Sequence, residues 1–223
     1  FEGEIMHRDT LGTEQRVTPG SVGWMTAGKG IVHTERTPED WRNGDSYTVH
    51  GYQIWVALPK ELEQMDPAFS HTPADDLPKW SKGPLDFILV AGKGFGHQSP
   101  VPVHSELFMV DVQCSSSARL DIQGQLKGEI GIVVVSGYIK ACGERIEAGQ
   151  MLVSKEEDAC QLTLGPDTHL LLFGGQAFPE KRHIYWNFVA SEEATIEEAK
   201  ERWDKRAFDM VPGETGYIPL PGK

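Results

Sequence analysis

Short apolar runs, some alternating and some continuous, recur along the whole chain and are separated by Gly, Pro and Asp. That is the pattern of an antiparallel sandwich or barrel. Ile130-Gly-Ile-Val-Val-Val135 predicts a buried strand and His169 to Phe173 another, while His50, Tyr52, Ile54, Val56 and Leu58 alternate as one face of a third. Helix is predicted once. Ser191-Glu-Glu offers an N-cap and first-turn acids, and Ile196, Ala199 and Trp203 give an apolar stripe that suits packing on the outside of a barrel. The segment from Pro59 to Pro84 carries five prolines and several acids, and reads as an extended connection.

A weak internal repeat points to two similar units. Glu2-Gly-Glu-Ile5 followed by Arg16-Val-Thr-Pro-Gly-Ser-Val22 is echoed by Ser136-Gly-Tyr-Ile139 followed by Arg145-Ile-Glu-Ala-Gly-Gln-Met151. Each copy reads as strand, turn, strand, Gly turn, strand. The expected architecture is all-β, two tandem jelly-roll-like barrels with a short C-terminal helix. Residues 1–99 form the first barrel with the Pro-rich connection, and residues 100–223 form the second with the helix and tail, the boundary falling near Pro100-Val-Pro102.

Composition narrows the function classes. At 223 residues and 39% apolar, the chain can bury a sizeable core. The longest strongly apolar run falls far short of the roughly 20 residues of a membrane helix, so no membrane role is expected. With 33 acids against 21 bases, the formal charge of -12 repels phosphate backbones and disfavours direct nucleic-acid binding. The basic cluster from Lys200 to Arg206 suits the C-terminal end of a helix. Cys114, Cys142 and Cys160 are odd in number and widely spaced, which fits a reducing compartment, with the cytoplasm as default.

Chemistry concentrates in Thr18-Pro-Gly-Ser-Val-Gly-Trp-Met-Thr-Ala-Gly-Lys-Gly-Ile-Val-His-Thr-Glu35. His33 and Glu35 sit two apart on a predicted strand, so they point the same way with Cα atoms roughly 6.6 Å apart. An imidazole and a carboxylate so placed can share one divalent ion. The same spacing recurs at His104-Ser-Glu106, just beyond Pro100-Val-Pro102, where a solvated or interdomain role is expected. The second repeat reaches Glu157-Asp-Ala-Cys160-Gln where the first has His33 and Glu35, so it keeps the fold without the pair. Gly28-Lys-Gly30 and Gly92-Lys-Gly-Phe-Gly96 lack the Lys-Ser/Thr ending of a phosphate loop and read as strand turns. His50 and Tyr52 share a strand face and are candidate pocket residues.

Three segments carry a family resemblance: Ile5-Met-His-Arg-Asp-Thr-Leu-Gly12, the Trp24-Met-Thr-Ala-Gly run leading to His33 and Glu35, and Val49-His-Gly-Tyr-Gln-Ile-Trp-Val-Ala-Leu-Pro59, with Pro212-Gly-Glu-Thr-Gly-Tyr-Ile-Pro-Leu-Pro221 as tail. The chain resembles the pirin family of the cupin superfamily, in particular its quercetinase-like bacterial branch. The resemblance implies a bicupin with one metal in the N-terminal barrel, held by three His and one Glu. His33 and Glu35 match the third and fourth ligands. The first two come from a His-x-His pair that would lie upstream of Phe1, so the chain reads as truncated, and His7 matches a non-ligand position.

The implied cofactor is one divalent transition metal, Fe(II) first, with Ni, Co, Cu, Mn or Zn as alternatives. The implied activity is oxidative cleavage of a flavonol by O2 with loss of carbon monoxide, the deprotonated 3-hydroxyl binding the metal and Glu35 acting as ligand and proton acceptor. Quercetin itself is a candidate surrogate for another small aromatic substrate. A second reading is a non-enzymatic, iron-binding, redox-sensitive regulator acting through a protein partner. A third is a metal-free structural bicupin.

Overall fold

The computed structural model of the chain describes residues 1–44, 46–154 and 161–222. Contacts divide it into two units, Phe1–Ala74 with Phe178–Lys223 and Asp75–Ala177. The first unit is therefore discontinuous in sequence.

In the first unit, β1 (Ile5–Asp9), β2 (Glu14–Val17) and β4 (His33–Arg36) form an antiparallel sheet in the order β2-β1-β4, and β3 (Val22–Thr26) pairs with β5 (Ala68–Thr72). The β1–β2 hairpin turns tightly at Gly12, whose φ of 82° lies in the left-handed region that glycine enters without strain. β5 and the strand that follows it lie inside the stretch expected to be an extended connection. The prolines there punctuate the strands instead of excluding them. Pro67 and Pro73 flank β5, and Pro78 precedes the next strand, where a missing N–H costs no ladder bond.

The second unit holds β6 (Lys79–Lys82), β7 (Leu85–Gly94), β8 (His97–Gln98), β9 (Leu107–Cys114), β10 (Ala118–Leu120), β11 (Glu129–Ser136), β12 (Tyr138–Ala141), β13 (Glu144–Glu147), β14 (Met151–Ser154), β15 (Leu162–Leu164) and β16 (Thr168–Gly175). One sheet runs β14-β11-β16-β9-β7-β6 with β8 paired to β7, and the other runs β10-β15-β12-β13. Their apolar faces form one core. Leu89, Val110, Ile132, Leu170 and Leu172 from the first sheet and Ile139, Leu162 and Leu164 from the second are fully buried. Each such side chain contributes about 1.5–3 kcal/mol relative to exposure. The expected strands at Ile130 and His169 are β11 and β16. The repeat is also visible: the hairpin β12–β13 followed by β14 has the strand order of β1–β2 followed by β3. Cys114 is a buried free thiol. Glu157 to Cys160, which replace the metal pair in the second copy, lie outside the described residues.

The chain then returns to the first unit through the hairpin β17 (His183–Tyr185) and β18 (Phe188–Ala190) and the helix α1 (Glu193–Asp204). The helix cap is Glu192 rather than Ser191. Ser191 is drawn away because its N–H and Oγ both donate to the Glu63 carboxylate, at 2.8 Å each. Ile196, Val211 and Leu220 are buried here. Trp203 packs against Trp186 and Tyr217 at centroid distances of 5.1 and 5.5 Å and donates its indole N–H to the Ile218 carbonyl. No helix among the described residues is long and apolar enough to cross a membrane.

The segment from His50 to Leu58 is not a regular strand. Its alternation suits a pleat, but its one ladder partner among the described residues is Glu2, bridged to His50.

Candidate metal centre

Two ladders bring the site together. In the β1–β4 register, His7 faces Glu35 and Asp9 faces His33. Period two puts His7 with Asp9 and His33 with Glu35 on the same face of neighbouring strands, at cross-strand Cβ spacings of about 5 Å. The turn that feeds β4 is shaped by Gly28, since a Cβ there would collide with the Met65 carbonyl oxygen. Lys29 N–H donates to that same oxygen at 3.0 Å, and Gly30 N–H closes the turn on Ala27 at 2.9 Å. These glycines make a strand turn with no phosphate cradle. Thr10 N–H then donates to the Val32 carbonyl, which continues the β1–β4 ladder beyond His33.

His7, His33 and Glu35 each offer one ligand atom, and these atoms lie within 4.8 Å of one another. His7 is buried, stacked on Phe69 at 4.1 Å, and its Nε2 pairs with Asp9 Oδ2 at 3.2 Å. Asp9 is fully buried and saturated: its Oδ1 accepts the N–H groups of Leu11 and Thr13 at 2.9 and 3.0 Å. Burial alone would raise its pKa, but the hydrogen bonds from His7, Thr13 and Leu11 outweigh it and hold the carboxyl below its usual value. Burial pushes the His33 imidazole below its usual pKa, with His7 adding to the effect and Glu35 and Asp9 opposing it. His33 is therefore neutral near pH 7, as a metal ligand must be. Its Nδ1 is buried without a hydrogen-bond partner.

Two contacts brace the carboxylate end of β4. Gln53 Nε2 donates to Glu35 Oε2 at 3.0 Å. Arg36, the next residue, grips Glu214 of the tail through two parallel bonds of 2.9 and 2.6 Å.

Two imidazoles and one carboxylate on a common face, one ring neutral and carrying an orphaned nitrogen, fit a divalent transition metal. The structure brings His33 and Glu35 together as their spacing implied and adds His7, which the sequence had placed as a non-ligand. The signal for His7 was the alternation of Ile5, His7 and Asp9 on β1, which gains meaning only once β1 is paired with β4. His50 and Tyr52 are exposed and gather around Phe1 at ring distances of 5.1 and 5.7 Å, and Gln53 is the residue of that stretch bonded to the cluster. His104 and Glu106 lie in the loop before β9, outside the three-residue cluster.

Comparison with known proteins agrees with this architecture. Residues 1–56 match the Pirin family model and residues 109–209 the Pirin C-terminal cupin domain. A pirin-like protein of Caulobacter vibrioides is 36% identical over 99% of this chain and 76% of its own length. A Pseudomonas aeruginosa protein named "Putative quercetin 2,3-dioxygenase PA1205" is 35% identical over 92% of this chain, and the matched region spans 63% of that relative's length. Among solved structures, a quercetin 2,3-dioxygenase from Acinetobacter baumannii superposes with a TM-score of 0.89 at 32% identity, covering 99% of this chain and 73% of that one. The bacterial pirin YhhW of Escherichia coli, solved in complex with nickel(II), shares the fold at a TM-score of 0.61 and 22% identity, covering 79% of this chain and 70% of that one. The chain belongs to the pirin family, with a cupin fold in which His7, His33 and Glu35 converge on one face of the first unit.

Proposed function

We propose that the protein is a metal-dependent dioxygenase that cleaves flavonol-type aromatics with O2 and releases carbon monoxide. The observation that carries this reading is the His7, His33 and Glu35 cluster with its neutral, half-buried His33. Its relatives named for quercetin 2,3-dioxygenase activity support the substrate class. His33 and Glu35 are the residues proposed to hold the ion, Fe(II) first, with His7 beside them. A bound ion of this kind supplies Lewis acidity toward a flavonol oxygen and a route for O2 to react.

The chain's own groups do the rest. Glu35 is exposed and reaches the cluster, so its carboxylate is placed to accept the proton of the substrate 3-hydroxyl. Phe69 covers one face of His7 and keeps water from it, while Asp9 fixes the ring. Overall, one flavonol and one O2 yield one ring-opened ester and one carbon monoxide.

The test is elemental analysis of the purified protein followed by aerobic and anaerobic incubation with quercetin. About one transition metal per chain, with carbon monoxide released only in air and not after chelation, is the expected result. A metal-free protein, or a metal-loaded one that leaves every flavonol intact, overturns the assignment.

A further inference from the structure

We propose that Gln53 is a positioning residue that sets how Glu35 presents its carboxylate to the ion; this rests on the metal site proposed above. Glu35 is exposed, and an exposed glutamate samples many rotamers. Here one of its oxygens is held: Gln53 Nε2 donates to Oε2 at 3.0 Å, so Oε1 is the oxygen left for a ligand bond. A carboxylate accepts only, and an amide N–H is a neutral donor, so Gln53 orients Glu35 without cancelling its negative charge. An ammonium at this position would orient it too, but would compete with the cation.

Gln53 is itself anchored. Three residues upstream, His50 and Glu2 exchange both backbone hydrogen bonds, at 2.9 and 3.0 Å. The geometry thus gives Glu35 one oxygen committed to the protein and one free, the arrangement of a monodentate ligand with an outer hydrogen-bond partner. Such partners commonly affect metal affinity by about 10- to 100-fold when removed.

Gln53 is exposed and outside regular secondary structure, so Gln53→Leu removes the donor while the fold is retained, as an unchanged melting temperature will verify. The experiment is Co(II) titration of the wild type and of Gln53→Leu, followed by visible absorption, which reports coordination number and geometry. The expected result is Co(II) binding about 10- to 100-fold weaker in Gln53→Leu, with altered band intensity as Glu35 gains freedom to bind through both oxygens. Identical affinity and an identical spectrum in the two proteins overturn the role of Gln53 and leave the metal site standing. Failure of the wild type to bind Co(II) overturns both.

Discussion

His7 lies directly opposite Glu35 in the β1–β4 ladder, and the same register sets Asp9 opposite His33. Two residues far apart in sequence thus become neighbours through backbone pairing alone, and the side chains of the candidate site inherit their positions from it. Because β1 is also tied to β2 and its turn is held by Asp9, the ring of His7 is fixed from two directions.

This pairing makes the site separable from the second His-x-Glu pair. His33→Ala and His7→Gln are each expected to reduce bound metal to less than about one tenth of the wild-type content, since two remaining donors hold a divalent ion poorly. His104→Ala is expected to leave it unchanged. Elemental analysis of the three variants, each checked for folding by circular dichroism, decides the matter; retention of metal in His33→Ala would sink the assignment.

The loop entering β4 predicts an asymmetry between two glycines that both have positive φ. Gly12→Ala meets no atom within 4 Å and is expected to cost only the left-handed strain, about 1 kcal/mol. Gly28→Ala drives a methyl group into the Met65 carbonyl and must displace the turn that delivers His33. Urea melts should therefore show a markedly lower midpoint for Gly28→Ala, accompanied by metal loss. Equal midpoints would show that the turn is more pliable than this geometry implies.

The Arg36–Glu214 pair gives a pH dependence. Its hydrogen bond to Arg36 is the main cause that holds the Glu214 carboxyl below its ordinary value of 4.5, against a smaller opposing effect of burial. A carboxyl whose folded pKa is depressed contributes stability above its unfolded pKa and loses it as pH falls through the folded value. The urea midpoint of Glu214→Gln should thus lie below that of the wild type at pH 7, and the two should converge well below pH 4.5. A gap that persists in acid would mean that the charge on Glu214 does not hold the tail.

In the second unit, neighbouring positions on β11 should differ sharply. Ile132 is fully buried in the core, whereas Val133 faces the other side of the sheet and is half-buried. Ile132→Ala is expected to cost about 2–5 kcal/mol, and Val133→Ala less than half as much. Denaturant unfolding of both variants tests the inward assignment, which fails if their losses are equal.

What was legible in the chain was what is local. β11 could be read from the β-branched run Ile132 to Val135, β16 from its apolar centre, and α1 from its stripe, because each signal sits within a single element. His33 and Glu35 could be paired because two residues on one strand share a face whatever that strand contacts. His7 could not, since its role depends on the β1–β4 register, which no short window encodes. The stretch from His50 to Leu58 shows the opposite failure: alternation is necessary for a strand but not sufficient, and Glu2 alone pairs with it here among the described residues. Ser191 has the chemistry of a cap, yet Glu63 claims its hydroxyl. Competition for a side chain by a residue 128 positions away is a tertiary fact.

The discontinuity of the first unit has a consequence for biosynthesis. Residues 1–74, with His7, His33 and Glu35 among them, leave the ribosome before residues 75–177, whereas Ile196, Val211, Glu214 and Leu220, which that unit buries or clamps, follow them. Residues 75–177 form a continuous unit with their own core, and can fold while the earlier segment waits. Closing a flexible loop of that length costs roughly 4 kcal/mol, and a folded insert removes that flexibility before the ends must meet. Completion of the candidate metal site thereby waits for the tail, and a chain that stalls before residue 214 would carry His7, His33 and Glu35 without the strap that secures their strand.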